Sequence, residues 1–453
     1  MTTTLIRYSS HFRQLLRIGI PIVFGQLGVI VLGFADTLMI GHYGTAELAS
    51  ASFVNNVFNL AIIFCTGFSY GLTPLIGSCF GNGNRTKAGE ILKNSLLSGG
   101  VVAVGLIVLL TVLYFNLHRL GQPDELLPYI RPYFIIILVS LLFLMLFNSF
   151  KQFFDGITDT QLPMWILIGG NLLNIIGNYL LIYGAYGFPE LGLRGAGLST
   201  LFSRIAMLAA IALVFFKHRR YRTYRDGFVQ GKINRNDFRQ LNAMGLPVGL
   251  QMGMETGAFT FSAIMIGWLG SAELAAYQIM VTVGTLGFMI YYGMGAALTV
   301  RISNFIGQND LPNVRRATRS AFCIILLLAL FACLVFYLIR HQIGHWFTSD
   351  EEVIAIVGIL VFPLIAYQFG DALQITFANA LRGIYDVKPM MWIALFAYIL
   401  FALPVGYFCG FTLGWGITGV WMAFPAGLFG AGILFAIRYL RRMRTLEKGK
   451  KGK

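Results

Sequence analysis

The chain has 453 residues, of which 57% are apolar and only 12% are charged, with a mean hydropathy of +0.72; a soluble globular chain carries roughly 25% charged residues. Such a composition excludes a water-solvated surface over most of the molecule and points to an α-helical membrane protein. The formal charge of +15 would suggest nucleic acid in a soluble protein, so its distribution along the chain decides what it means.

Apolar runs such as 101–115, 138–147 and 323–339 are continuous instead of alternating, which fits membrane helices and not barrel strands. A span needs roughly 20 apolar residues. Twelve such segments are read at 15–40, 49–77, 94–116, 132–150, 162–184, 193–216, 240–267, 273–300, 320–339, 353–378, 389–410 and 415–437. The residues before the first are too polar and basic, and lack the small-residue cleavage site, for a removed signal peptide, so that span is expected to stay as an anchor.

Of 34 Lys and Arg, 29 lie at the two ends or in even-numbered connections, including eight between 217 and 239 and eight from 438 onward. Arg119, Arg131, Arg194 and Arg340 occupy odd-numbered connections, and Arg204 lies within a span. This is the positive-inside asymmetry, and it puts both termini in the cytoplasm. The basic loop 217–239 and the basic tail therefore read as topology determinants and lipid-headgroup contacts, with no nucleic-acid partner. The five cysteines have no CxxC spacing and suggest neither disulfides nor zinc. No GxxxxGK[ST] phosphate loop occurs, so an ion gradient is the default energy source, with no cofactor.

Sliding the chain on itself by 226 residues sets 39–49, Met-Ile-Gly-His-Tyr-Gly-Thr-Ala-Glu-Leu-Ala, over 265–275, Met-Ile-Gly-Trp-Leu-Gly-Ser-Ala-Glu-Leu-Ala. Pro21 falls on Pro247 and Gly67 on Gly293; a shift of 227 then sets Gly156 and Asp159 over Gly383 and Asp386. Each repeat holds six spans, and an even number returns the chain to its starting side. The expected fold is therefore all-α: two parallel six-helix repeats about a pseudo-two-fold axis along the membrane normal, with halves at 1–228 and 240–453 and a cytoplasmic linker to about 239. Such a pair suits alternating access better than a channel.

An ionisable side chain at mid-membrane costs about 2.5 kcal/mol or more, so each one asks for a pathway, a partner or a wet cavity. Asp36, Glu255 and Asp371 are such acids, Asp36 near the outer end of its span. Gln251 lies one turn before Glu255; Tyr367 and Gln374 lie about one turn either side of Asp371. Across the repeat Glu255 falls on Val29, Asp371 on Leu144 and Asp36 on Ser262, so the acids belong to one half each. With spans seven and ten face to face, two carboxylates and a tyrosine hydroxyl would form an oxygen-rich seat for a hard cation such as sodium, and the same groups would serve a proton. Asn171, Asn174 and Asn178 form one polar face of span five, and Asn55 and Asn59 one of span two; each face either lines a cavity or joins helices. Arg204 must meet protein or water, through an acid, a carbonyl or a substrate.

On these residues the chain resembles the multidrug and toxic compound extrusion (MATE) family over essentially its whole length. The resemblance rests on residues 33–41, Gly-Phe-Ala-Asp-Thr-Leu-Met-Ile-Gly, on 275–279, Ala-Ala-Tyr-Gln-Ile, which contains Gln278, and on the paired Gly-x-x-Asp turns. Asn174, Asn178, Glu255, Tyr367 and Asp371 complete it. It implies V-shaped paired lobes in a bacterial inner membrane, working as a monomer and exporting lipophilic, often cationic compounds in exchange for sodium ions or protons. Glu255, Tyr367 and Asp371 are similar to the NorM-type branch, whose cation site lies in the C-terminal half, which makes Glu255 and Asp371 the sodium ligands to test. The sequence departs from the proton-coupled pattern at Asn178, where an aspartate would pair with Asp36. A flippase for a lipid-linked saccharide or lipid of the same superfamily, and a channel, are the rival readings; an enzyme is not expected.

Overall fold

The structure, a computed structural model, describes residues 2–119 and 123–451. It contains helices and no strand among those residues. We number the helices α1 Thr2–Tyr43, α2 Thr45–Gly81, α3 Arg85–Phe115, α4 Leu127–Gly156, α5 Gln161–Tyr183, α6 Leu193–Lys217 and α7 Arg222–Gln230. They continue with α8 Arg235–Gly267, α9 Ser271–Gly307, α10 Leu311–Leu338, α11 Arg340–Phe347, α12 Glu351–Gly383, α13 Lys388–Thr412 and α14 Gly416–Lys451. Eleven of these are long and apolar enough to cross a membrane. The twelfth expected span is α8, whose 33 residues reach about 50 Å but include Arg235, Asp237, Arg239, Gln251 and Glu255. The short helices α7 and α11 are additions to the expected list.

Helices in a bilayer turn apolar side chains outward, since no water is there to be avoided. On α3, Val101, Val104, Val108, Val112 and Phe115 are all exposed, and on α10 Leu327, Leu330, Phe331, Leu334 and Leu338 are. Both series follow the three-to-four-residue spacing of one helix face. Inside, aromatic rings fill the volume: Phe58 meets Phe134 edge-on at 4.8 Å, and Phe153, Phe154 and Phe215 form a second nest.

The chain forms two compact units, Phe24–Gly249 and Met1–Val23 with Leu250–Lys453. The divisions fall inside α1 and α8, two residues beyond the repeat-related Pro21 and Pro247, where a proline removes a helix hydrogen bond. They differ from the linear halves 1–228 and 240–453 expected from the repeat. In the unit holding the C-terminus, a Cβ built on Gly19 would lie 2.7 Å from Met294 Cε, and one on Gly293 only 2.3 Å from Val23. In the other unit a Cβ on Gly71 would lie 2.6 Å from the Gly245 nitrogen. The start of each repeat's first helix is thus closely packed on the second helix of the other repeat.

The linker is folded onto its own unit. Cβ atoms built on Gly89 and Gly227 would sit 1.9 Å from the Tyr224 carbonyl oxygen and 2.0 Å from that of Thr86, so α3 and α7 meet backbone to backbone. Lys93 Nζ donates to the Gly231 carbonyl at 2.9 Å, Asn94 bonds the backbone of Lys232 and Asn234, and Lys87 pairs with Asp237 at 2.7 Å. The Tyr221 hydroxyl donates to Asp159 at 2.8 Å. Burial, and then that bond, push its phenol above the ordinary value, so it remains a donor. The loop read as a topology determinant is therefore also a strap. Lys151 requires a correction. Taken from sequence as a loop base beyond span four, it lies within α4 and is 8% exposed, paired at 2.8 Å with Asp155, itself 4% exposed.

Two outcomes follow for purified protein in detergent. Gly89→Val forces α7 from α3 and should expose residues 218–234 to limited proteolysis several-fold faster than wild type. Lys151→Met strands the Asp155 charge and should cost about 3–5 kcal/mol of stability, while adding Asp155→Leu should recover most of it, as read by thermal unfolding.

Candidate functional site

The unit holding the C-terminus gathers its polar groups from four helices. From α8 come Gln251 and Glu255, one turn apart. Helix α12 brings Tyr367, Gln368, Asp371, Gln374, Asn379 and Arg382, while α9 brings Tyr291 and α13 brings Tyr398. Glu255 is half-buried, and its Oε2 accepts from Gln251 Nε2 at 3.4 Å and Gln374 Nε2 at 3.2 Å. The Gln251 amide faces the other way as well: its Oε1 accepts from Arg382 at 2.9 Å. A glutamine suits this relay, because an amide can donate to a carboxylate and accept from a guanidinium at once.

Asp371 is 0% exposed, and neither carboxylate oxygen accepts a hydrogen bond from any described protein group. It lies close enough to Glu255 for mutual repulsion. Beside it Gln368 is 0% exposed, and among the described residues neither its amide atoms nor the buried hydroxyls of Tyr291 and Tyr398 have a hydrogen-bond partner. A Cβ on Gly287 would lie 2.8 Å from Gln368 Oε1, so the glycine lets this amide lie flat on α9. Buried polar groups are nearly always satisfied, so four residues with orphaned atoms in one small region single it out as the candidate site.

The floor of this region is aromatic. Phe259 stacks on Phe424 at 4.5 Å, and Tyr367 meets Phe259 and Trp421 at 6.3 and 6.1 Å. A cavity bounded by Glu255, Ser262, Tyr398, Phe259 and Phe424 opens beside it. Ser262 is the repeat equivalent of Asp36, so the same register carries polar groups to a cavity wall in this half and an acid in the other.

The second unit has its own cluster. Asp36 on α1 is half-buried and accepts a short hydrogen bond from Asn178 on α5. Asn178 also donates to Asn174 at 3.1 Å. With its amide turned over, Asn174 gives up that acceptor role and instead donates to Asp36 at 2.9 Å and accepts from the Thr200 hydroxyl at 3.2 Å. Asp36 is thus surrounded by amide donors, in contrast to Asp371. Asn55 accepts from the Tyr133 hydroxyl at 3.3 Å.

Of the residues singled out in the sequence, Glu255, Gln251, Tyr367 and Asp371 come together on facing helices, and Asp36, Asn174 and Asn178 form a second group. Asn59 on α2 and Gln278 on α9 are exposed and join neither. Arg382 was counted in sequence as a cytoplasmic-loop base; it lies in α12, is 5% exposed and reaches the Glu255 network. Its repeat equivalent is Asp155, also buried, and that alignment was the signal available. Gln368, Tyr291 and Tyr398 gave none, because single polar groups in apolar runs resemble packing.

The MatE family model matches residues 21–180 and again 247–408, in the register of the repeat. The probable multidrug resistance protein NorM of Xanthomonas campestris pv. campestris is 30% identical over 449 residues, covering 98% of this chain and 97% of that protein. The protein of the same name from Photorhabdus laumondii is 29% identical over 444 residues, covering 97% of each. Among solved structures, the eukaryotic MATE transporter AtDTX14 superposes with a TM-score of 0.87 at 18% identity, over 97% of this chain and 99% of that one. A variant of the Vibrio cholerae MATE transporter VcmN gives 0.87 at 20% identity, over 97% and 98%. The all-helical fold and its parallel six-span repeats are those of these transporters, and the chain belongs to the MatE family.

Proposed function

We propose that this chain is a multidrug efflux transporter of the bacterial inner membrane, with both termini cytoplasmic, that exports lipophilic cationic compounds as a monomer by antiport against sodium ions or protons. The family and the NorM-named relatives support the efflux reading. The coupling reading rests on one observation: Asp371 is buried in a membrane helix beside Glu255 with no donor among the described residues. A bare carboxylate there is costly, and two such groups repel. A cation that moves inward relieves both costs, whether a proton on one carboxyl or a sodium ion between the carboxylates and the neighbouring phenol oxygens.

The cycle then has two exclusive states. An organic cation and the coupling ion both neutralise the same acidic region, so ion arriving from outside weakens the hold on substrate and releases it outward. Return to the inward-open state carries the ion to the cytoplasm. Gln251, fixed by Arg382, keeps its N–H side towards Glu255, and the aromatic floor offers ring faces to a lipophilic cation.

The test uses purified protein in vesicles loaded with a cationic dye, with sodium and pH gradients imposed separately. Wild type should expel dye against at least one gradient. Asp371→Asn and Glu255→Gln should each lower gradient-driven efflux by tenfold or more while the protein remains monodisperse. Dye movement indifferent to both gradients, or wild-type rates in both variants, would remove the antiport assignment.

A further inference from the structure

Arg204 is the twelfth of the 25 residues of α6, which places it at the middle of a span. Leu198, Phe202, Ile205 and Leu213 form the exposed, lipid-facing stripe of that helix, and at 100° per residue Arg204 points well away from it. The residue is half-buried. One guanidinium nitrogen donates to Ser140 Oγ at 2.7 Å. No ion pair to Arg204 exists among the described residues. Asp36 acts on it electrostatically, but that carboxylate is occupied by the Asn178 and Asn174 amides. Around it stand Tyr133, whose hydroxyl is turned to Asn55, and, one turn earlier on α6, Thr200, which is turned to Asn174.

A guanidinium presents five N–H donors in a planar fork, and the one hydroxyl it touches engages only one. Serving as a tether for Ser140 needs no charge; a neutral amide would do it without the cost of a cation at mid-membrane. What a fixed fork whose further donors the Ser140 bond leaves unused matches is a planar oxyanion, held by two parallel hydrogen bonds. We propose that Arg204 is the specificity-determining residue through which this transporter accepts compounds bearing a carboxylate, in particular zwitterions that carry both an acid and a lipophilic cation. This rests on the efflux reading above and extends it: Arg204 supplies a counter-charge for the acidic end of a compound. A substrate bearing only positive charge gains nothing from Arg204.

A matched dye pair separates the charges: a rhodamine methyl ester, which is a cation, and its parent free acid, which is a zwitterion. Both are followed in the vesicle assay for wild type, Arg204→Lys and Arg204→Gln, with folding checked by gel filtration. Arg204→Gln should lower the acid-to-ester transport ratio about tenfold or more, the loss expected for a charge-assisted bond. Arg204→Lys keeps the charge without the fork and should fall in between. An unchanged ratio, or an equal fall for both dyes, would overturn the assignment. Equilibrium binding of the acid in detergent, by fluorescence anisotropy, tests Arg204 separately from transport. Should wild type move neither dye, the efflux reading fails. Acid binding weakened in Arg204→Gln would even then support the site, and equal binding would overturn it.

Discussion

A charge in hydrocarbon must be answered by something, and the placement of these answers organises the molecule. Where the answer is another fixed group, as in the buried Lys151–Asp155 pair, the charge holds helices and goes no further. Where it is an amide, as at Asp36, the acid is quieted without being neutralised. At Asp371 no described group gives an answer, and there we place the coupling ion of the proposed antiport.

The relay from Arg382 through Gln251 to Glu255 shows how such a site is kept open. The guanidinium sets the amide, and the amide faces the carboxylate, so the acid is oriented by dipoles and not closed by a direct ion pair. A carboxylate bonded straight to arginine would be a structural element; one set at a remove can still change its charge partner.

Much of the architecture was legible in the sequence because hydrocarbon thickness and helix rise leave little freedom: the spans and the repeat follow from run length and register, whereas the facing of Glu255 with the Asp371 helix was only a condition, which the Gln374–Glu255 bond meets. The pairing of Asp36 with Asn178 was legible only through the family resemblance, which puts a partner of Asp36 at that position; the face of Asn174 was left between cavity wall and helix contact. The failures have a common cause. Lys151 and Arg382 were read as loop bases because hydropathy ends a span at the first charge, whereas the helices run on to Gly156 and Gly383 and bury those charges among neighbours. Asn59 and Gln278 share residue type with functional neighbours, but their helix faces look elsewhere, and rotation about a helix axis is set by packing that no single segment encodes. The strap of α7 on α3 depended on glycine contacts between segments more than 130 residues apart.

The crossing of the compact units through α1 and α8 has a consequence for ancestry. If the repeats descend from one six-helix chain, that ancestor could not have completed its own fold, because the opening turns of its first helix belonged on a sibling's second helix. Two copies would have lent each other these turns, as partners in a reciprocal exchange. Joining the genes then made permanent an association that the unfused protein already required.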